Sequence, residues 1–533
     1  MATESIAIVG MPASGKSRVG VALADLLNFR LLDLDMAIEE AQGMSISQIF
    51  QRHGEEHFRK VETAHLEAAL SQKGCVISLG GGVLESRANR SALRKFRVAG
   101  GLVVYIETDA ELAKSRISKK DTRPIFVQNG LDYWDVLLKR RSKHFIQNAD
   151  IRIKTSLGGG EFLEAEVVAE KIFAQLNTRR VLVERDNDIK YSITIGRCLI
   201  EQIPTRITPD ASVAVLYTES VADHKSSVVA ELKKRGLRVS ECVVADAENG
   251  KTVAEYERTL DFLAERGFTR SDFIIAIGGG ALTDMAGLVA ASFLRGVQFI
   301  NVPTSTLAAV DASTGGKTGI NLRAGKNLCG AFYEPEAVYI DLDFFKTLHA
   351  REFNEGLGEA LKMGLLFDQE LVGLLFDEHT RNAKLEEIVY RCVKLKAEVV
   401  SKDLYDSGLR EFLNYGHTFA HAVEKLEHFK IRHGEAVALG CIFAAHLAFK
   451  LGMLTEDDVK LHYRLVKAVG LPYSWGAGVS FDDVLNAMRL DKKNKSGTRR
   501  FVLLDGLQNP RIVEDPELHA MSYAFEMVQR AIL

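Results

Sequence analysis

The sequence predicts an α/β protein in which two sheet-containing domains precede an all-helical one. Short apolar, β-rich runs alternate with segments of helical periodicity over the first 178 residues. A second alternation of the same kind extends to about residue 343, and the remaining chain has almost entirely helical periodicity. Such alternation is typical of a parallel sheet covered by helices on both faces. We therefore predict domains at 1–178, 179–343 and 344–533.

Length and composition are those of a multidomain globular protein. The 533 residues suffice for two to four domains, and 47% of them are hydrophobic and 26% charged. A formal net charge of −3 provides no electrostatic reason to bind nucleic acid or an anionic membrane. The six cysteines are scattered without a CxxC pair, as in a reduced cytosolic protein. Because no targeting segment or membrane-spanning run is visible, we expect a cytoplasmic protein that acts on small molecules.

The strands can be assigned in chain order. Those of the first domain are "SIAIVG", "FRLLDLD", "CVISLGGG" and "GLVVYIE", and a helix over 161–177 closes it. A new β-rich stretch follows, and the second domain's strands include "SVAVLY", "RVSECVV" and "DFIIAIGGG". Ligands of open parallel sheets bind beyond the carboxyl ends of the strands. The polar residues that follow these runs are therefore the candidate functional groups.

The first strand leads directly into a phosphate-binding loop. "GMPASGKS" matches GxxxxGK[ST], with Gly10, Gly15, Lys16 and Ser17 between a strand and a predicted helix. The glycines let backbone N–H groups surround phosphate oxygens, Lys16 reaches the terminal phosphates, and Ser17 binds magnesium. This context favours a nucleotide site over a structural glycine turn.

Further polar groups of the first domain could converge on that loop. They are Asp33, Asp35, Arg59, Glu62, Gly80, Gly81, Gly82, Arg123 and Arg141. Each alone also fits a solvated charge or an ordinary turn. Together they resemble the shikimate kinase family over about residues 4–176. A gluconate-type or other small-molecule kinase is the alternative, and Asp35, Arg59 and Arg141 favour shikimate.

The resemblance implies phosphoryl transfer from ATP with Mg²⁺ to shikimate, with Lys16, Asp35 and Arg123 as catalytic groups. Asp35 would bind the shikimate hydroxyls. The carboxylate and ring of shikimate would contact Arg59, Gly81, Gly82 and Arg141. Arg123 would cover the transferring phosphate. By the same resemblance, Arg116 lies near the adenine and Asp33 helps to place the metal. Such chemistry depends on positioning and charge neutralisation.

The C-terminal part contains a possible metal site. "LNYGHTFAHAVE", residues 413–424, predicts one amphipathic helix with His417 and His421 on one face. His433 and Glu359 are further candidate ligands. Catalytic zinc usually takes three protein ligands and keeps one open position. The spacing does not say which three of the four bind, and polar-facing histidines without a metal are the structural alternative.

The second domain adds a possible dinucleotide site. "AIGGGALTDMAG" places Gly279 and Gly280 after a strand and four to five residues before Asp284, and "DAENGKT" supplies Glu248 and Lys251. Such a turn lets backbone approach a pyrophosphate. Downstream, a run of polar residues suits a phosphorylated, carboxylated substrate near a metal; it contains Thr304, Asp311, Lys317, Lys326 and Asn327.

These motifs together resemble the 3-dehydroquinate synthase family over essentially all of 181–533. "VDASTGGKTGIN", "GKN", "GEALK", "LNYGHTFAHAVE", "HGEAVA" and "DKK" occur in the family's order. The resemblance implies that the metal, Zn²⁺ or Co²⁺, is bound by Glu359, His417 and His433. It implies that NAD is bound by Glu248, Lys251, Gly279, Gly280, Asp284, Thr304 and Ser305. The implied substrate contacts are Asp311, Lys317, Lys326, Asn327, Lys362, Lys396, Arg410, Asn414, His421 and Lys492.

The implied reaction converts 3-deoxy-D-arabino-heptulosonate 7-phosphate to 3-dehydroquinate and phosphate, with His421, Lys317 and Arg410 among its catalytic groups. NAD is regenerated in each turnover, so the net reaction is that of a lyase. The family is commonly dimeric, and Arg295 would reach the neighbouring subunit's site. A glycerol-dehydrogenase-like enzyme or another sugar-phosphate cyclase is the alternative, and the lysine-rich run favours phosphate elimination. A non-catalytic second half is disfavoured, because Lys16, Asp35, Glu359 and His433 are all present.

Overall fold

The computed structural model describes residues 5–117, 126, 130–157, 161–176, 178–186, 188–406, 408–428, 430–476, 478–489 and 499–530. The chain divides into two compact units. Unit 1 comprises Met1–Thr178 and Glu201–Asp210, and unit 2 comprises Arg179–Ile200 and Ala211–Leu533. Across the described ranges, no helix is long and apolar enough to cross a membrane.

Unit 1 is built on a parallel sheet, as predicted, but the sheet has a fifth strand, Ile151–Lys154, in addition to the four predicted from sequence. Its strands are β1 Ile6–Gly10, β2 Arg30–Asp33, β3 Cys75–Ser78, β4 Leu102–Glu107 and β5 Ile151–Lys154, in the order β2-β3-β1-β4-β5. Its helices are α1 Lys16–Leu27, α2 Leu34–Gln42, α3 Ile46–Leu70, α4 Arg87–Val98, α5 Ala110–Arg116, α6 Tyr133–Asn148 and α7 Ala165–Leu176. Apolar clusters cover both faces of the sheet, which explains why its strands read as continuous apolar runs.

Two local features of unit 1 differ from the sequence prediction. The expected helix over 161–177 begins only at Ala165, because Glu161–Phe162 (β7) pairs antiparallel with Ser156–Leu157 (β6). In addition, the segment Glu201–Asp210 packs with unit 1, where the buried Arg152 guanidinium donates to the carbonyl oxygens of Thr205 and Ile207, each at 3.1 Å.

Unit 2 begins with a seven-stranded sheet. Its strands are β8 Arg179–Arg185, β9 Asp188–Gly196, β10 Ser212–Thr218, β11 Arg238–Val244, β12 Phe273–Gly278, β13 Gln298–Pro303 and β16 Ala337–Asp341. The order is β11-β10-β12-β13-β16-β9-β8, and all neighbours are parallel except β8 and β9. Its helices are α8 Ala222–Lys234, α9 Val253–Glu265 and α10 Gly280–Ser292. A separate hairpin is formed by β14 Lys317–Leu322 and β15 Gly325–Phe332.

The C-terminal region is mainly helical, as expected. Its helices are α11 Ala350–Phe367, α12 Gln369–Leu375, α13 Glu378–Ala383, α14 Leu385–Lys402, α15 His417–Leu426, α16 His433–Lys450, α17 Glu456–Ala468, α18 Phe481–Arg489 and α19 Leu518–Gln529. Helix α16 is buried along almost its whole length, so it forms the centre of this region. One hairpin interrupts the helices: β17 Arg500–Leu504 pairs with β18 Pro510–Glu514. Its first strand buries Phe501 to Leu504, an apolar run too short to be distinguished from a helix segment by periodicity.

Short 3₁₀-helices of three to seven residues connect these elements. They lie at Val83–Glu85, Ile200–Arg206, Glu219–Val221, Ala247–Gly250, Phe293–Arg295, Leu342–Thr347 and Leu409–Asn414, with a π-helical turn at Ala308–Ala312.

Candidate active sites

The phosphate-binding loop lies at the centre of the first sheet. β1 is flanked by β3 and β4, so the loop after Gly10 opens at the middle of the sheet edge. Gly15 has a φ of +90°, which favours glycine, and α1 begins at the next residue, Lys16. The N–H groups of the first helical turn therefore face the loop, where an anion would be stabilised.

Ser17 and Asp33 come together beside this loop. The Ser17 hydroxyl donates to Asp33 Oδ2 at 2.8 Å and lies 3.2 Å from the Ser78 hydroxyl. Asp33 Oδ1 accepts from the backbone N–H groups of Asp35 and Met36 and so caps α2. Hydroxyl and carboxylate oxygens are the ligand types that Mg²⁺ takes in nucleotide sites.

A cavity of about 750 Å³ opens next to the loop. Its lining includes Gly15, Arg18, Arg116 and Phe162. The Arg116 guanidinium lies over the Phe162 ring, with its Cζ 3.1 Å from the ring centroid. The cavity has the size of a small-molecule site, and Arg116 lies in its wall.

The glycine turn after β3 is surrounded by the predicted shikimate residues. A Cβ at Gly80 would lie 3.0 Å from the Asp35 carboxylate. A Cβ at Gly82 would lie 3.0 Å from Arg59 Nη2 and 3.2 Å from Arg141 Nη2. Gly81 contributes its carbonyl oxygen, which accepts from Arg141 Nη1 at 3.1 Å. One carboxylate and two guanidinium groups thus converge on this turn.

Two glutamates hold the arginines of this cluster. Arg59 Nη1 donates to Glu62 at 2.8 Å, and Arg141 Nη2 donates to Glu85 at 2.7 Å. Burial raises the pKa of Glu62, although Arg59 acts in the opposite direction. For Glu85 the effect of burial is outweighed by the neighbouring arginines, Arg141 first, which lower its pKa. Glu85 was not singled out from sequence, since an acidic residue in a turn carries no pattern. Arg123 lies outside the described residues.

In unit 2, the predicted dinucleotide turn joins β12 to α10. Gly279 precedes the helix and Gly280 is its first residue. The Thr304 backbone N–H donates to the Gly278 carbonyl at 3.0 Å, and a Cβ at Gly279 would lie 3.6 Å from the Ser305 hydroxyl. Thr304 and Ser305 follow β13, which neighbours β12, so both loops meet at one sheet edge. This is where dinucleotides bind in such sheets.

The remaining predicted NAD residues lie around the buried Lys251. Its ammonium donates to Asp284 Oδ2 at 2.8 Å and also to the Asn327 side chain. Burial raises the pKa of Asp284, while Lys251 acts to lower it. The Glu248 carboxylate accepts from Asn321, a residue with no sequence signal of its own. Asn327, predicted as a substrate contact, is thus placed against Lys251.

Glu359, His417 and His433 come together in the helical region. Their potential ligand atoms all lie within 4.8 Å of one another. Glu359 Oε1 is 3.2 Å from His433 Nε2 and 3.4 Å from His417 Nε2. One carboxylate and two imidazoles are a donor set that fits Zn²⁺ or Co²⁺. The His421 ring centroid lies 5.5 Å from that of His417, and His421 is outside this group of three.

The helix that carries His417 is shorter than predicted. It begins at His417 itself, whereas Asn414 ends the preceding 3₁₀-helix Leu409–Asn414. Gly416, between them, has a φ of +77°, and a Cβ there would lie 2.8 Å from the backbone nitrogen of Cys441. The left-handed residue ends one helical segment and lets the next pack tightly on α16.

Predicted substrate lysines adjoin the carboxylates of this centre. Lys362, almost fully buried, pairs with Glu359, and Lys396 donates to Asp311 Oδ1 at 2.7 Å. Burial acts to raise the pKa of Glu359, but Lys362 and the two histidines hold it well below its usual value. Burial lowers the pKa of Lys396. Cations and anions thus alternate through the buried region.

The other predicted substrate residues surround this region. The buried Arg410 guanidinium donates to the carbonyl oxygens of Leu404 and Gly315, and Lys317 pairs with Asp406. Lys326 Nζ lies 3.9 Å from Glu424 Oε1. Arg295 is exposed on a turn with a φ of +65°. Lys492 lies outside the described residues.

Glu424 is the clearest functional residue that sequence reasoning missed. Its Oε1 lies 3.4 Å from His433 Nδ1, and the side chain is buried. Burial acts to raise the pKa of Glu424, but His433, His421 and Lys326 lower it to about 2. The signal was its position seven residues after His417 and three after His421, which places all three on one helix face.

Three family models match the chain. The shikimate kinase model matches residues 12–177. The models of the N-terminal and C-terminal parts of 3-dehydroquinate synthase match residues 241–355 and 356–494.

Known proteins show the same division. A 3-dehydroquinate synthase from Corynebacterium efficiens is 42% identical over 347 residues, which are 63% of this chain and 95% of that protein. A solved 2-epi-5-epi-valiolone synthase from Streptomyces hygroscopicus, with NAD⁺ and Zn²⁺ bound, is 26% identical with a TM-score of 0.59, covering 64% of this chain and 97% of that one. A shikimate kinase from Acinetobacter baumannii, solved with shikimate, is 35% identical across 32% of this chain and 90% of that one, with a TM-score of 0.29. The chain therefore belongs to the 3-dehydroquinate synthase family and carries, ahead of that enzyme in the same polypeptide, a shikimate kinase domain.

Proposed function

We propose that the chain catalyses two reactions of aromatic amino-acid biosynthesis at two separate sites. The kinase site phosphorylates shikimate to shikimate 3-phosphate with ATP and Mg²⁺. The synthase site converts 3-deoxy-D-arabino-heptulosonate 7-phosphate to 3-dehydroquinate and phosphate with NAD and a divalent metal. The observation that carries this proposal is that two separate sets of functional groups occur in one chain. One is a phosphate-binding loop beside two guanidinium groups, and the other is a Glu-His-His cluster beside a dinucleotide turn and several lysines.

In the kinase, the chain's own groups act by positioning and charge. Lys16 and the start of α1 would neutralise the phosphates, and Ser17 with Asp33 would hold magnesium. Arg59 and Arg141 bind the substrate carboxylate in the planar geometry that guanidinium groups favour. Asp35, at the same glycine turn, accepts from the substrate hydroxyls and orients the attacking oxygen.

In the synthase, Glu359, His417 and His433 would hold the metal. The donor set fits, because these three potential ligand atoms face one another in a buried site. A bound metal supplies Lewis-acid polarisation of a ring oxygen, and bound NAD accepts and returns a hydride. Gly279, Gly280, Thr304 and Ser305 would cradle the dinucleotide phosphates, and Glu248, Lys251 and Asp284 would hold its other polar groups.

The cationic side chains of the synthase site suit a substrate with one phosphate and one carboxylate. Lys317, Lys326, Lys362, Lys396, Arg410 and Lys492 are the proposed cations, with Asp311, Asn327 and Asn414 as polar contacts. Their role is to hold the substrate against the metal and to stabilise the departing phosphate. His421, beside the metal cluster but outside it, is placed to move a proton.

We further propose a cytoplasmic homodimer that associates through the synthase half. Large apolar side chains are exposed on the β14–β15 hairpin, namely Leu322, Leu328 and Phe332, and the exposed Tyr405 ring lies 5.2 Å from the Phe332 ring, centroid to centroid. Leu294 is also exposed. Exposed apolar surface is typical of a protein–protein interface. Arg295 follows Leu294 on a strained, outward turn, so it could enter the partner subunit's synthase site.

The predicted domains 1–178, 179–343 and 344–533 are retained as the functional division.

The direct test is to assay the purified chain for both reactions. Shikimate with ATP and Mg²⁺ should yield shikimate 3-phosphate, and the heptulosonate phosphate with NAD and Zn²⁺ should release inorganic phosphate. Gluconate in the first assay and a glycerol oxidation assay in the second serve as controls for the alternative activities. Turnover of a control substrate in place of the proposed one would reassign that half.

A further inference from the structure

The two histidines of the Glu-His-His cluster are oriented by different acceptors. His417 Nδ1 lies 3.1 Å from the backbone carbonyl of Tyr415, whereas His433 Nδ1 lies 3.4 Å from the carboxylate of Glu424. In both rings the opposite nitrogen, Nε2, faces Glu359. An acceptor at Nδ1 places the ring proton there and leaves the Nε2 lone pair for a metal. One ligand is therefore supported by a neutral group and the other by an anion.

The Glu424 carboxylate is buried beside His433. It lies on α15 and reaches His433, the first residue of α16, across the packed helix pair. Its side chain is 8% exposed, so its charge is little screened by water. Lys326 lies 3.9 Å from the same Oε1 atom. The carboxylate thus lies between a proposed metal ligand and a proposed substrate lysine.

We propose that Glu424 is a positioning residue for the metal centre: it fixes the tautomer and ring orientation of His433 and strengthens His433 as a ligand. This inference rests on the proposed function, because it requires the metal at Glu359, His417 and His433. A carboxylate behind a ligating histidine typically changes metal affinity by roughly 10- to 100-fold. Because Lys326 shares the carboxylate, metal affinity has to be measured without substrate.

The experiment measures Co²⁺ binding to the full-length protein after removal of metal by chelation. Co²⁺ is titrated against a competing chelating dye, and its visible absorption reports the ligand field. The variants are Glu424→Gln, His433→Ala and the control Glu427→Gln. Glu427 lies three residues further along, directly after α15, and accepts from Trp475 Nε1 at 2.8 Å rather than from a metal ligand. Shikimate phosphorylation by each variant reports on the integrity of the rest of the chain.

The expected result is a 10- to 100-fold weaker Co²⁺ affinity for Glu424→Gln with altered absorption, and wild-type affinity for Glu427→Gln. Wild-type affinity in Glu424→Gln, or equal weakening in both glutamine variants, overturns the role of Glu424. Absence of Co²⁺ binding by the wild type, or unchanged binding by His433→Ala, overturns the metal centre itself.

If Glu424→Gln does not fold, Glu424→Asp decides the question. It keeps the charge but is one methylene too short to reach His433 Nδ1. Weaker Co²⁺ binding than in the wild type is expected, and an unchanged affinity contradicts the proposal.

Discussion

The two active sites of this chain are assembled by different kinds of structure. In the kinase, the functional loops follow β1, β2 and β3, whose carboxyl ends lie at one edge of a parallel sheet. In the synthase, the Glu-His-His cluster proposed to bind the metal is formed by three helices, α11, α15 and α16. Sheet topology alone brings the first set of groups together, whereas the second set depends on how closely helices pack.

Glycines beside the metal ligands allow that packing. Gly358, Gly416 and Gly434 each precede or follow a residue of the Glu-His-His cluster. A Cβ at Gly434 would lie 2.7 Å from the Glu355 backbone carbon, and one at Gly416 would lie 2.8 Å from the Cys441 nitrogen. Real side chains do not approach this closely, so any larger residue forces the helices apart. The metal site is therefore expected to be more sensitive to backbone packing than the kinase site.

Lys16→Ala is expected to produce the largest difference between the two activities. Loss of the ammonium that neutralises the phosphates should lower shikimate phosphorylation by about 10³-fold or more. Phosphate release from the heptulosonate phosphate should stay within about twofold of the wild type, because Lys16 belongs to unit 1. Parallel assays of one protein preparation check this. A comparable loss of both activities would contradict the assignment of two sites.

Within the synthase, His417→Ala and His421→Ala should have different effects. His417→Ala removes a proposed ligand, so both the bound metal and synthase turnover should be lost. His421→Ala should keep a full equivalent of metal while synthase turnover falls by about 10²-fold, as for loss of a proton-transfer group. Metal content by atomic emission, measured beside activity, checks the distinction. Equal metal loss in both variants would indicate that His421 is also a metal ligand.

Gly434→Ala tests the role of helix packing. Because the new methyl group collides with backbone, we expect unit 2 to be destabilised by about 2–4 kcal/mol. Gly373→Ala is the matched control: it lies within α12 with no atom within 4 Å of a built Cβ, and should stabilise by about 0.5–1 kcal/mol.

The two tryptophans allow the units to be followed separately. Trp134 lies in unit 1 and Trp475 in unit 2, and the chain contains no third. In a Trp134→Phe background, urea unfolding followed by Trp475 fluorescence reports on unit 2. Equal stability of the Gly434→Ala and Gly373→Ala variants would rule out the packing explanation.

Per residue, the smallest expected loss of stability is the acid sensitivity of unit 2. Burial lowers the pKa of His446 and of His462 to about 4. Between pH 6.5 and 4 the unfolded chain therefore binds protons at both residues while the folded chain does not, so stability falls as the pH falls. Each histidine should account for about 2 kcal/mol between pH 7 and pH 5.

The same Trp475 measurement at pH 7 and pH 5 checks this expectation. His446→Gln should reduce the loss of stability, whereas His519→Gln should not, since His519 is exposed. An identical pH dependence in all three proteins would show that buried histidines do not cause it.

The contrast between a site at a sheet edge and a site between packed helices also explains which features the sequence predicts. The phosphate-binding loop and the first four strands of unit 1 were predictable, because a contiguous motif between a strand and a helix implies its own geometry, whereas β5 and the β6–β7 hairpin were not predicted. The start of α15 at His417 was not, because a glycine is compatible with both helical and left-handed backbone, and only the structure shows that Gly416 is left-handed. Nor was the contact of Asn327 with Lys251, which depends on the β14–β15 hairpin. From sequence, Glu424 showed only its helical spacing from His417 and His421. Its contact with His433, which lies on another helix, was not predictable.

The central claim is that one chain carries a metal-dependent synthase and a kinase that does not share its metal. The most direct measurement is to remove tightly bound metal from the full-length protein with a chelator, dialyse, and assay both reactions, with Mg²⁺ supplied for the kinase. We expect phosphate release from the heptulosonate phosphate to be lost and then restored by Zn²⁺ or Co²⁺, while shikimate phosphorylation is retained throughout. Loss of both activities, or full synthase activity in protein shown to be free of metal, would contradict this account.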